Sequence, residues 1–166
     1  SYRDSELLPT IKHCLERAKH PERLRFGIVW QKDEEDNCLE EFKNDPRFRI
    51  IEVHYKNSKG ACWARYHGQK LYKDETFSVQ LDSHIRFIKN WDEEIINIWK
   101  SLEDSKAIIT GYPPNYNPTM KESEWYNVPQ ICNVYRFNHS LPESRPANLP
   151  DWEKKTKPVR GLHISA

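Results

Sequence analysis

Apolar positions near the start of the chain recur at the spacing of one helical face. Leu7, Leu8, Ile11, Cys14, Leu15 and Ala18 fall three to four residues apart, which predicts a first helix. Asp4 or Ser5 is placed to cap it, and Pro9 falls in its opening turn, where a missing amide hydrogen costs least. After His20-Pro21 the run Leu24 to Trp30 is almost continuously apolar and β-rich, the pattern of a short strand buried on both faces of a parallel sheet. The acidic stretch Gln31 to Glu41 reads as a solvated connection. Arg49 to Tyr55 predicts a second strand, Asn57-Ser58-Lys59-Gly60 a turn, and Ala61 to Tyr66 the opening of a second helix. Phe77, Val79 and Leu81 alternate with Ser78, Gln80 and Asp82, a period-two signal for a third strand. Trp91, Ile95, Ile98, Trp99 and Leu102 mark an amphipathic helix begun at Asn90 or Asp92, and Ala107 to Thr110 a fourth strand.

Strands alternating with helical segments imply βαβ units, hence the α/β class with a mainly parallel sheet, flanking helices and right-handed crossovers. The texture changes past Thr110, where eight of the eleven prolines lie. Long helices are excluded there, while Ile131 to Phe137 and Val159 to Ser165 still read as strands. The expectation is one domain over residues 1–166, with 111–166 an irregular, proline-rich part of it.

At 166 residues the chain is long enough to build a core without staples. The 26 Lys and Arg against 25 Asp and Glu give a formal charge of +1, which removes the positive field expected of a nucleic-acid binder. Mean hydropathy is −0.92, and no apolar run approaches the ~20 residues that span a bilayer. Neither nucleic acid nor a membrane segment is therefore expected. Cys14, Cys38, Cys62 and Cys132 are dispersed and form no C-x-x-C pair, which excludes a zinc ribbon and favours a reducing, cytoplasmic setting, with two long-range disulfides left open. An N-terminal anchor on a longer chain would instead imply a secretory compartment. The chain opens abruptly at Ser1-Tyr2-Arg3-Asp4 and stops at His163-Ile164-Ser165-Ala166, inside a strand pattern, so it is expected to be incomplete at both termini. The motifs of P-loop, dinucleotide, zincin and α/β-hydrolase enzymes are absent from the sequence.

Candidate chemistry centres on Asp82-Ser83-His84. In a strand the first and third of these side chains project to one face, and the carboxyl ends of parallel strands are where open sheets bind ligands. A carboxylate and an imidazole suit a divalent cation such as Mn²⁺ or Mg²⁺ that keeps positions open for phosphate oxygens. The plainer reading is a turn aspartate beside a solvated histidine. Tyr112 and Pro113, in the aromatic, proline-stiffened loop 112–116, are placed to wall a sugar or acceptor pocket, or to pack as a surface loop. Lys154-Lys155-Thr156-Lys157 reads as a solvated run, and His163 as a strand histidine with no spaced partner.

The order Ala64-Arg65, then Asp82-Ser83-His84, then Trp91 to Trp99 resembles the donor-binding half of GT-A glycosyltransferases. Further motifs sharpen the likeness: Ser-Tyr-Arg-Asp at 1–4, Pro9-Thr10-Ile11, Gly27-Ile28-Val29-Trp30-Gln31, Gly60-Ala61-Cys62-Trp63-Ala64-Arg65, Leu81 to Phe87 and Trp91-Asp92. Together they resemble the N-acetylglucosaminyltransferase family that includes the enzyme modifying hydroxyproline on a cullin-ligase adaptor subunit. The match is dense over 1–116 and resumes at Arg160 to Ala166. The resemblance implies a GT-A-like, Rossmann-type fold whose nucleotide-sugar-binding half spans 1–110. It implies Mn²⁺-dependent transfer of GlcNAc from UDP-GlcNAc to a Ser, Thr or hydroxyproline hydroxyl of a protein acceptor, with Asp82 and His84 holding the ion. It further implies that Tyr2, Arg3, Trp30 and Gln31 line the uridine pocket, with Arg65, Asp82 and Ser83 near the nucleotide. For Arg65 the plain alternative is an ion pair with Asp74 or Glu75, and for Trp30 core packing. Two other readings stand beside this one: a non-catalytic glycan- or protein-binding module on the same scaffold, and a transferase using another UDP-sugar, such as UDP-GalNAc or UDP-glucose.

Overall fold

The computed structural model describes residues 1–111, 113, 116–122, 130–138 and 141–148. It divides into two compact units, Ser1–Glu93 and Glu94–Ala166, with the division falling inside a helix.

In the first unit, α1 (Leu7–Arg17) turns Leu7, Thr10, Ile11 and Cys14 inward, the face that the three-to-four spacing predicts. Its opening differs slightly from expectation. The helix begins after Glu6, and Asp4 works one turn earlier, its Oδ1 accepting the Glu6 amide at 2.9 Å. β1 (Phe26–Lys32) and β2 (Phe48–His54) pair in parallel, with Ile28 opposite Ile50 and Gln31 opposite Val53. β1 is buried from Ile28 to Gln31, so its two faces cover different layers. Ile28 and Trp30 pack with Leu7 and Ile11 of α1 and with Leu39, Phe42 and Phe48 in the core. On the other side α2 (Ala61–Gln69) approaches so closely that a Cβ on Gly27 would lie 3.2 Å from the Leu71 Cβ and 3.4 Å from the Gly68 carbonyl oxygen. A side chain at position 27 would need Leu71 to give way by a few tenths of an ångström. Ser1–Arg3 run alongside β1 on the edge opposite β2: Tyr2 bridges Gln31 in parallel, and Gln31 N and Arg3 N donate to Ser1 O and Gln31 O at 3.0 and 2.9 Å.

The acidic connection after β1 is not simply solvated. Leu39 is 0% exposed and Phe42 8%, so the segment drops two side chains into the core while Glu34, Glu35, Glu40 and Glu41 stay exposed. Residues 77–82 form no strand, and Phe77, Val79 and Leu81 are 39%, 45% and 46% exposed. The alternation is present, but among the described residues no sheet edge receives it, and without a partner to take its amides an extended segment gains no ladder. Residues 107–110 likewise form no strand, and Ile108 is exposed. The expected multi-stranded parallel sheet is thereby corrected: within the described residues the parallel sheet has two strands. The class remains α/β.

α3 (Trp91–Lys100) follows Asn90, which adopts a left-handed φ of 59°, a conformation asparagine tolerates better than most residues. Asp92 is not a cap; it is buried and binds backbone at the end of α1. In the second unit Trp99 Nε1 donates to Ala107 O at 2.9 Å. There β3 (Gln130–Asn138) pairs antiparallel with β4 (Leu141–Asn148), with a register shift between Val134 and Arg136. β3 matches the strand expected at 131–137. β4 was unexpected because it contains Pro142 and Pro146. Four apart, these two put their missing amide hydrogens on one side of the strand, which an outer edge tolerates. The expected strand at 159–165 lies outside the described residues. Cys14, Cys38 and Cys62 are free thiols. Burial, the largest cause, pushes Cys14 and Cys38 up to about 12, with the Asp36 carboxylate adding to the rise at Cys38. No helix among the described residues is long and apolar enough to cross a membrane.

Candidate functional site

Residues 82–87 are strapped to α1 rather than carried on a sheet strand. The buried Thr10 hydroxyl lies 2.9 Å from Ser83 O and 3.1 Å from Ile85 O, sharing its one proton between them, and accepts from Ile85 N at 3.1 Å. Phe87 N donates to His13 Nδ1 at 3.1 Å, and Arg86 pairs with Glu6. With Ser83 fixed between them, the side chains of Asp82 and His84 emerge 58% and 60% exposed. Both are therefore accessible to a ligand from solvent, though by this anchoring and not by the strand alternation that suggested it.

Each of the two has a charged neighbour. Arg65 Nη2 on α2 lies 3.3 Å from Asp82 Oδ1, whereas Glu75, a plain candidate for Arg65, is taken by Arg49 at 2.6 Å. Asp4 Oδ2 receives the Ser83 hydroxyl at 2.6 Å and faces His84 Nδ1 at 2.9 Å. Burial opposes ionisation of Asp4, but the bonds from His84, Ser83 and the Glu6 amide outweigh it and hold the carboxyl below its ordinary value of 3.8. Asp4 is thus an anion at neutral pH and can only accept.

The expected nucleotide residues separate into two groups. Tyr2 is 54% exposed and meets Tyr55 edge-to-face at 6.3 Å. The Arg3 guanidinium lies 4.5 Å over the same Tyr55 ring, so the exposed Tyr2 and Arg3 and the half-buried Tyr55 form an aromatic and cationic surface just past the ends of β1 and β2. Gln31 is buried and fully engaged, with Nε2 donating to Ser1 O at 3.0 Å and Oε1 accepting from Ser58 Oγ at 2.5 Å; it braces this rim from below. Trp30 is 1% exposed and donates to Asp36 Oδ2 at 3.0 Å. As a core residue it offers no face to a ligand, so the packing reading of Trp30 holds. Pro113 is exposed; Tyr112, His163 and the lysine run at 154–157 lie outside the described residues.

Sequence reasoning passed over Tyr55 and the second role of Asp4. Tyr55 follows the carboxyl end of a parallel strand, the placement argued above for Asp82-Ser83-His84, and could have been found by it. Asp4 meets Ser83 and His84 across 79 and 80 residues of sequence, a contact no local spacing encodes. Among the described residues, no group of three His, Cys, Asp or Glu is arranged to hold a metal ion. Asp82 and His84 offer at most a two-donor, open site.

No match is found among curated proteins or among solved structures. A family model described as "Glycosyltransferase (GlcNAc)" matches residues 1–47 and 38–166, which together span every segment discussed above. The chain therefore belongs to the GlcNAc glycosyltransferase family, and the exposed Asp82 and His84 lie within one of its transferases.

Proposed function

We propose that the chain binds UDP-GlcNAc on a GT-A-type scaffold and transfers GlcNAc to a Ser, Thr or hydroxyproline hydroxyl of a protein acceptor. The observation that carries this reading is the exposure of both Asp82, which lies beside the Arg65 guanidinium, and His84, within a chain of this family. One carboxylate and one imidazole fit Mn²⁺ or Mg²⁺ chemically, and a two-donor site leaves positions for diphosphate oxygens and water. When bound, such an ion offsets the negative charge that develops on the leaving diphosphate. Arg65 is placed to turn from Asp82 towards a phosphate oxygen, which its planar fork of donors matches. Tyr2, Arg3 and Tyr55 supply a face on which a uracil ring can stack, with the guanidinium adding a cation–π contribution. The Ser1 carbonyl oxygen, bonded to the Gln31 side chain, fixes the segment that carries Tyr2 and Arg3.

Release of UDP from UDP-GlcNAc in the presence of Mn²⁺ tests the proposal. Asp82→Ala is expected to lower the rate about 10²- to 10³-fold, the usual cost of removing one group that stabilises developing charge. An unchanged rate in that variant would contradict the assignment. A module that binds donor without turning it over would show no release in either protein. Competition by UDP-GalNAc and UDP-glucose identifies the preferred sugar.

A further inference from the structure

Asp4 divides its two oxygens between different tasks. Oδ1 accepts the Glu6 amide at 2.9 Å at the approach to α1. Oδ2 faces away from that turn, towards Ser83 Oγ at 2.6 Å and His84 Nδ1 at 2.9 Å. A carboxylate has no proton to give, so the contact with His84 requires the proton to sit on Nδ1 of the ring. The lone pair of the neutral imidazole is then on Nε2, at the end of a side chain that is 60% exposed. An imidazole held by a carboxylate at one nitrogen and free at the other is oriented and made more basic as a ligand.

We propose that Asp4 is the positioning residue for His84: by holding the Nδ1 proton it fixes the tautomer and presents Nε2 to a divalent cation. The inference rests on the reading of Asp82 and His84 as cation ligands. Its chemistry gives Asp4→Asn a sharp consequence. The asparagine carbonyl oxygen can still accept the Glu6 amide, which keeps the turn before α1. Its NH₂ group then faces His84, where it donates to Nδ1 and drives the proton to Nε2. The ring remains in place but turns its protonated nitrogen outward, where a cation cannot bind.

Two measurements on the full chain test this. Nitrogen-15 NMR of the imidazole, without metal, is expected to report the Nδ1–H tautomer of His84 in the wild type and the Nε2–H tautomer in Asp4→Asn. A wild-type ring in the Nε2–H form would overturn the proposal with no variant needed. Paramagnetic resonance titration with Mn²⁺ in the presence of UDP is expected to show affinity weakened about 10- to 100-fold in Asp4→Asn, the range seen when a ligand's outer partner is lost. If His84→Ala loses affinity while Asp4→Asn does not, the positioning role is overturned and the cation site stands. If His84→Ala and Asp82→Ala both bind Mn²⁺ as the wild type does, the cation site itself fails, and the positioning role falls with it.

Discussion

Asp92 illustrates how one side chain can hold two elements together. Its carboxylate accepts the amides of Lys19 and His20 at 2.7 and 2.9 Å, so the start of α3 closes over the backbone that leaves α1. Beside it Lys19 Nζ pairs with Glu93 at 2.7 Å, and Trp91 Nε1 donates to Cys14 O at 3.0 Å. Burial raises the Asp92 pKa, but the backbone donors prevail and hold it below its ordinary 3.8. Asp92→Ala strands two amides and is expected to cost about 1 to 2 kcal/mol in urea denaturation at pH 7. The pH dependence has a definite sign. The unfolded chain binds the Asp92 proton at higher pH than the native one, so this contribution is complete above the ordinary carboxylate range. It is lost as pH falls through the depressed native value. The gap between wild type and Asp92→Ala is therefore expected to narrow as unfolding is repeated at progressively lower pH. A gap that widens on acidification would contradict the argument.

At the scale of elements, α1 does more than supply a core face. Its polar side chains Thr10 and His13 hold the backbone of residues 83–87. Thr10→Val keeps the shape of the side chain and removes the hydroxyl, leaving the Ile85 amide and the Ser83 carbonyl without their partner. The expected outcome is a loss of about 1 to 3 kcal/mol and faster hydrogen exchange at the Ile85 amide, with the amides of β1 unchanged. Equal protection of Ile85 in both proteins would count against α1 as the anchor. Most of this arrangement is hidden from local patterns. α1 is legible because it buries a periodic face and β1 because its apolar run is buried, while β2, β3 and α3 show in the apolar spacing of the sequence and α2 in the turn residues that precede it. Leu39 and Phe42 are masked by the carboxylates around them, and the alternation at Phe77, Val79 and Leu81 announces a strand without saying whether a sheet edge awaits it. β4 is obscured by Pro142 and Pro146, which argue against a strand except at an edge. For the candidate site, Asp82 and His84 are legible from their residue types and spacing. The contacts that hold them, Arg65 at 17 residues' separation and Asp4 at 80, arise only when the chain closes on itself.

For the molecule as a whole, the near-zero net charge means that attraction for an anionic donor has to be local. In the function proposed above, Arg3 and Arg65, with a cation held at Asp82 and His84, would supply it. The proposed function stands on UDP being held at this place through a divalent cation. Calorimetric titration of UDP into the full chain tests it most directly. The account predicts saturable binding in Mn²⁺ that vanishes in excess chelator and in an Asp82→Ala variant that melts like the wild type. UDP binding of equal strength with chelator present, or undiminished in Asp82→Ala, would contradict it.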